Sequence, residues 1–155
     1  MTHQSFDVAA AHRFFAVDCF NKAWELIEKA DRTPEEDEQM LRLNQASIWH
    51  WTQREDCTNK NMSIGYWQTS RIYALLGRTN EARHYGQLFL HFSQQESPFL
   101  LAYANEALAR AERLAGNEAT AESYYIEALR LAEIVDDPED KNYLINDLNT
   151  IKLTI

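Results

Sequence analysis

The sequence predicts an all-α chain of seven helices, arranged as three antiparallel hairpins at about 7–54, 60–95 and 98–135 and a last helix at about 138–152, in one domain covering 1–155. Apolar residues recur at helical spacing along most of the chain, while four glycines and three prolines leave little of the punctuation and alternation that strands need. Each proline follows a capping residue, in Thr33-Pro34, Ser97-Pro98 and Asp137-Pro138, which is the pattern of a helix start. Two matching segments surround glycines 39 residues apart. The first is Ser70-x-x-Tyr73-x-x-x-Gly77 followed by Ala82; the second is Ala109-x-x-x-x-x-Ala115-Gly116 followed by Ala121, Tyr125 and Ala128.

The first helix is expected over about 7–30, where Ala16, Phe20, Trp24 and Ile27 form one apolar stripe. Thr33-Pro34-Glu35-Glu36 then supplies an N-cap, a proline at the first helical position and a capping-box glutamate. The second helix runs from there to about Arg54, with Met40, Leu43, Ser47, His50 and Trp51 on one face. Glu55 to Asn59 is polar and turn-like, and a third helix extends from about Lys60 to Leu76, closed by Gly77 at the position where a helix most often takes the left-handed conformation. A fourth helix after Thr79 places Ala82, Tyr85, Gly86, Phe89 and Phe92 on one stripe. Ser97-Pro98 starts the fifth, the sixth follows Gly116 with almost no linker, and Asp137-Pro138 starts the last, which carries Tyr143, Leu144 and Leu148.

A chain of 155 residues fits one ordinary domain, long enough to bury about 70% of its unfolded surface. Its 45% hydrophobic and 12% aromatic content excludes disorder over most of that length. A net charge of −9 repels a phosphate backbone, so nucleic acid is not an expected partner. No apolar run is long enough to span a membrane and the start lacks a leader pattern, so the protein is expected in the cytoplasm. Cys19 and Cys57 stand apart from each other and from any ligand spacing, and read as free thiols.

The residues from about Asn61 to Pro138 resemble the tetratricopeptide repeat, which places small residues where paired helices touch and large ones in the gaps. Leu108, Ala109, Gly116, Ala121, Tyr125, Ala128 and Leu129 match that pattern, as do Ser70, Tyr73, Leu76, Gly77 and Ala82. Gly86 and Phe89 depart from it, standing where a bulky ring and an alanine are usual, a swap that conserves volume. The first hairpin matches only in being helical. The resemblance implies a right-handed superhelix whose first helix of each pair lines a concave, peptide-binding groove. Carried onto this chain, those groove positions are Ile64, Trp67, Gln68, Arg71 and Leu75 on the third helix and Tyr103, Glu106, Arg110 and Arg113 on the fifth. The resemblance thus implies a protein- or peptide-binding adaptor rather than an enzyme. Trp67 and Tyr103 would anchor the ligand, and Arg71 and Arg110 suggest that it carries an acidic group. On that reading Arg71→Ala or Arg110→Ala should weaken binding by more than about 1 kcal/mol and leave the melting temperature nearly unchanged. The Lys/Asn set that clamps a C-terminal carboxylate in other family members is absent from these positions.

Glu106 and Arg110, at i,i+4, also fit an ordinary intrahelical ion pair. His50, between Trp49 and Trp51, is either a packed core histidine or a group facing a pocket near Trp67 that titrates around neutral pH. His84 and His91 are two turns apart, roughly 10 Å of rise, too far to share a metal ion. No zinc spacing, phosphate loop or nucleophile elbow is present, so neither metal nor cofactor is expected. Two other readings stay open: a small-molecule sensor or enzyme with a pocket near His50, and a homodimer formed through the aromatic surface.

Overall fold

The computed structural model describes residues 5–151. Among them are seven helices and no strand: α1 (Val8–Glu28), α2 (Pro34–Thr52), α3 (Asn59–Leu75), α4 (Thr79–Ser93), α5 (Pro98–Leu114), α6 (Glu118–Ala132) and α7 (Pro138–Asn149). Residue 152, the expected end of the last helix, lies outside the described residues.

Side-chain oxygens start five of these helices. Asp7, Thr33, Thr58, Ser97 and Asp137 each accept from a backbone N–H of the first turn, filling donors that no preceding carbonyl can reach. Thr33 with Glu36 and Thr58 with Asn61 form reciprocal capping boxes. The other two helices, α4 and α6, have no side-chain cap, because each leaves a glycine turn that ends the helix before it. Gly77 and Gly116 adopt φ of 70° and 80°. At both, the N–H after the glycine reaches back to the carbonyl five residues earlier, Arg78 to Tyr73 and Asn117 to Glu112, each at 2.9 Å. These are two copies of one Schellman turn, and each reverses the chain within two residues.

Consecutive helices pack as the pairs α1·α2, α3·α4 and α5·α6, and each pair joins the next through α2·α3 and α4·α5. The odd-numbered helices also touch in sequence, α1 on α3, α3 on α5 and α5 on α7, whereas α2, α4 and α6 do not touch one another among the described residues. One side of the molecule is therefore built from α1, α3, α5 and α7. Small residues let the axes approach: Ala74, Ala82, Ala109, Ala111, Ala121 and Ala128 are buried at the helix contacts. Gly86 belongs with them, because a Cβ there would stand 3.0 Å from Leu108 Cδ2. Phe89, one turn on, is fully buried and stacks on Trp67.

The joint between the first pair and α3 is polar. Asn44 donates to Gln68 at 3.1 Å, Thr69 donates to Asn44 at 2.8 Å, and Gln68 donates to the Phe20 carbonyl at 3.0 Å, while within the first pair Ser47 of α2 donates to the Ala16 carbonyl of α1 at 2.6 Å. All four side chains are essentially unexposed, and each meets a partner, as burial demands. Gly65 adds room, since a Cβ there would come within 3.1 Å of Ile48.

Candidate functional site

The side of the molecule made by the odd-numbered helices carries a groove of about 470 Å³. Trp24, Ile27 and Glu28 of α1 form one wall, Trp67, Arg71 and Leu75 of α3 the floor, and Phe99 and Tyr103 of α5 with Tyr143 and Asp147 of α7 the other wall. The rings form a continuous cluster. Trp24 meets Trp67 edge-on at 5.7 Å between centroids, Trp67 lies 4.6 Å from Tyr103, and Phe99 meets Tyr103 edge-on at 5.0 Å. Tyr143 is 60% exposed and stands at the mouth. Trp67 Nε1 is buried without an acceptor among the described residues, although such a donor ordinarily finds one.

An ion network centred on the buried Glu106, and reaching the groove through Arg71 and Asp147, ties α3, α5 and α7 together. Glu106 is fully buried and takes Arg71 from one side, with Nη2 3.4 Å from each carboxylate oxygen, and Arg110 from the other, with Nε at 2.9 Å. Arg71 Nη2 also reaches Asp147 Oδ2 at 3.3 Å, and the Tyr103 hydroxyl donates to the same oxygen at 2.9 Å. Burial works against the Arg71 cation, yet the charges of Glu106 and Asp147 outweigh it and push its pKa up. Burial and then the Asp147 charge push the Tyr103 phenol far above its ordinary value, so it stays protonated and donates. Arg110 Nη2 donates to the Asp147 carbonyl at 3.0 Å and to Thr150 Oγ1 at 2.7 Å, placing a cation at the C-terminus of α7 where the helix dipole favours it.

The structure brings Trp67, Arg71, Leu75 and Tyr103 to one groove, places Ile64 in an adjoining trough, and sends the remaining sequence candidates elsewhere. Gln68 is fully buried and holds α1 and α2 onto α3. Glu106 lies under the floor. Arg110 opens onto a neighbouring cavity with Arg113 and Leu114, and Arg113 pairs with Glu118. The arginines are not unpaired groove cations, because Glu106 and Asp147 already match their charge. Sequence spacing found the i,i+4 pair but not Asp147, whose place beside Arg71 depends on how α7 folds back.

His50 does not face Trp67. Its Nδ1 lies 2.8 Å from Nδ1 of His12 on α1, with Phe15 stacked on it at 5.4 Å and Trp49 edge-on at 4.9 Å. Burial, and then the neighbouring His12, lower its pKa. His12 borders a separate open cavity of about 600 Å³ with Arg13, Arg54, Glu55 and Asp56. Cys19 and Cys57 are free thiols whose pKa burial raises.

A second trough of about 450 Å³ adjoins the groove and shares Trp67 and Phe99 with it. Lys60 and Ile64 line one side, and Asp136, Asp137 and Asp140, at the α6–α7 turn and the start of α7, line the other. Comparisons of the chain with protein-family models, with curated proteins and with solved structures found no match to any of them.

Proposed function

We propose that the protein is a non-enzymatic, tetratricopeptide-like adaptor that holds a segment of a partner protein in the groove between α1, α3, α5 and α7. The observation that carries this reading is the groove's construction. Large rings line an open channel, and the ion network behind them ties its α3 floor to its α5–α7 wall without needing a ligand. A rigid aromatic surface of this kind gains contact area at little entropic cost when a chain is laid along it. The repeated glycine turns and the serial contact of odd-numbered helices support the repeat reading, since stacked hairpins generate such a channel from their inner helices.

Selection of peptides from a random displayed library on the wild-type protein tests the proposal. Enriched peptides should bind in solution and lose at least about tenfold in affinity, about 1.4 kcal/mol, with Tyr143→Ala and with Leu75→Glu at the groove wall. Peptides that bind both variants as well as wild type, or the absence of any enrichment, would overturn the groove as a partner site.

A further inference from the structure

We infer that the segment held in this groove is basic, with lysine or arginine side chains seated against the aromatic walls. The inference rests on the adaptor reading and reverses the ligand charge that the sequence suggests. Arg71 and Arg110 are balanced by Glu106 and Asp147, so the ion network offers an incoming group no net positive charge. What remains is negative. Glu28, exposed on the α1 wall, has no ion-pair partner among the described residues. Asp147 is one-third exposed, and its Oδ2 takes both Tyr103 and Arg71, while its Oδ1 has no partner among the described residues. In the adjoining trough Asp136 and Asp140 face Lys60, the one cation among its lining residues, while Asp137 there caps α7 through its Oδ1.

The walls agree with the charges. Ring faces are the negative pole of the aromatic quadrupole and attract ammonium and guanidinium groups, most strongly over tryptophan. A lysine or arginine side chain can lay its alkyl stem along Trp24, Trp67 and Tyr143 and place its charge near Glu28 or Asp147. An acidic side chain would meet the same ring faces and the same carboxylates with the wrong sign. Because the two cavities share Trp67 and Phe99, one extended peptide with basic residues spaced along it can use both.

Quenching of tryptophan fluorescence in a Trp49→Phe/Trp51→Phe background, which leaves Trp24 and Trp67 as the emitters, reads occupancy. The probes are acetyl-Ala-Lys-Ala-Lys-Ala-Lys-Ala-amide and the same peptide with glutamate for lysine, titrated at low salt. The lysine peptide should saturate the signal and the glutamate peptide should not. Glu28→Gln/Asp136→Asn, two exposed positions away from the buried network, should weaken the lysine peptide at least fivefold with an unchanged melting temperature. Glu35→Gln/Glu122→Gln removes equal charge from other exposed sites and should change affinity less than twofold, which separates a local site from attraction to an acidic protein. Tighter binding of the glutamate peptide, or equal weakening by the two double variants, would overturn the basic-segment inference. In either case loss of binding in Tyr143→Ala would still uphold the groove. Absence of saturable quenching with both peptides would count against the basic segment and the groove alike.

Discussion

Glu106 shows how one residue changes meaning between sequence and structure. At i−4 from Arg110 it reads as half of a helix-surface pair, a contact of a few tenths of a kcal/mol. In the fold it is fully buried between two guanidinium groups from different helices, and its value lies in what happens when one of them is removed. Arg71→Ala leaves Arg110 as the one network cation against the two carboxylates of Glu106 and Asp147 and takes a donor from each, so unfolding in denaturant should show a loss of about 3–5 kcal/mol. That outcome replaces the expectation of an unchanged melting temperature, which assumed arginines open to the groove. A loss below about 1 kcal/mol would mean that water reaches the pair and that Arg71 is available to a ligand after all. Arg71 is therefore a poor probe of binding, and Tyr143 and Glu28, both exposed at the rim, are better ones.

Among elements, the helix starts were legible to within about one residue because they are written in local chemistry, whereas α6 and α7 end at Ala132 and Asn149, three residues short of the expected 135 and 152. Caps at Thr33, Ser97 and Asp137, prolines just inside, and glycines at Gly77 and Gly116 depend only on near neighbours in sequence. The contact between paired helices was legible for the same reason, since a small residue recurring opposite another is a sequence pattern. Ala121 is fully buried at such a contact, and Ala121→Trp should lower stability by at least about 1–3 kcal/mol through overpacking, read as a lower denaturation midpoint. An unchanged midpoint would show that α6 can move off α5 freely. Gly116→Ala, at φ 80°, should cost about 1 kcal/mol even though a Cβ there meets nothing within 4 Å, because the strain is in the backbone. What the sequence hid was the partnership of distant elements. The contribution of α1 through Trp24 and Glu28, and of α7 through Asp147, could not be read from spacing, because those residues meet α3 and α5 only after the chain has closed.

At the scale of the whole molecule, the two ends of the helical stack are attached by different chemistry, and this predicts how the protein responds to acid. The α7 end is held by Leu144, Leu148 and Ile151 in the apolar core, together with the arginine network. The α1–α2 end joins α3 through buried amides and hydroxyls and is itself clasped by the contact of His12 with His50. That contact needs at least one neutral ring, since two imidazolium groups at 2.8 Å would have no proton-free nitrogen between them and would repel. Arg13 and Arg54 line the cavity beside His12, and Glu55 and Asp56 there offset them, with Asp56 already paired to Arg54. Folding lowers the His50 pKa from its ordinary value of 6.5, so near that pH the unfolded chain binds the extra proton first. The contribution of this pair to stability is therefore complete above about 6.5 and is lost as the pH falls below it through the folded-state value. Calorimetric melting at pH 7.5 and pH 5.5 should show a lower midpoint at the acid pH in wild type. His50→Asn, whose amide can take the place of Nδ1 without titrating, should show a smaller drop. Equal drops in both proteins would place the acid sensitivity outside this pair. If the drop is confined to wild type, hydrogen exchange at pH 5.5 should show α1 and α2 opening before α5, because the polar joint at Gln68 then has to hold the first hairpin without its clasp.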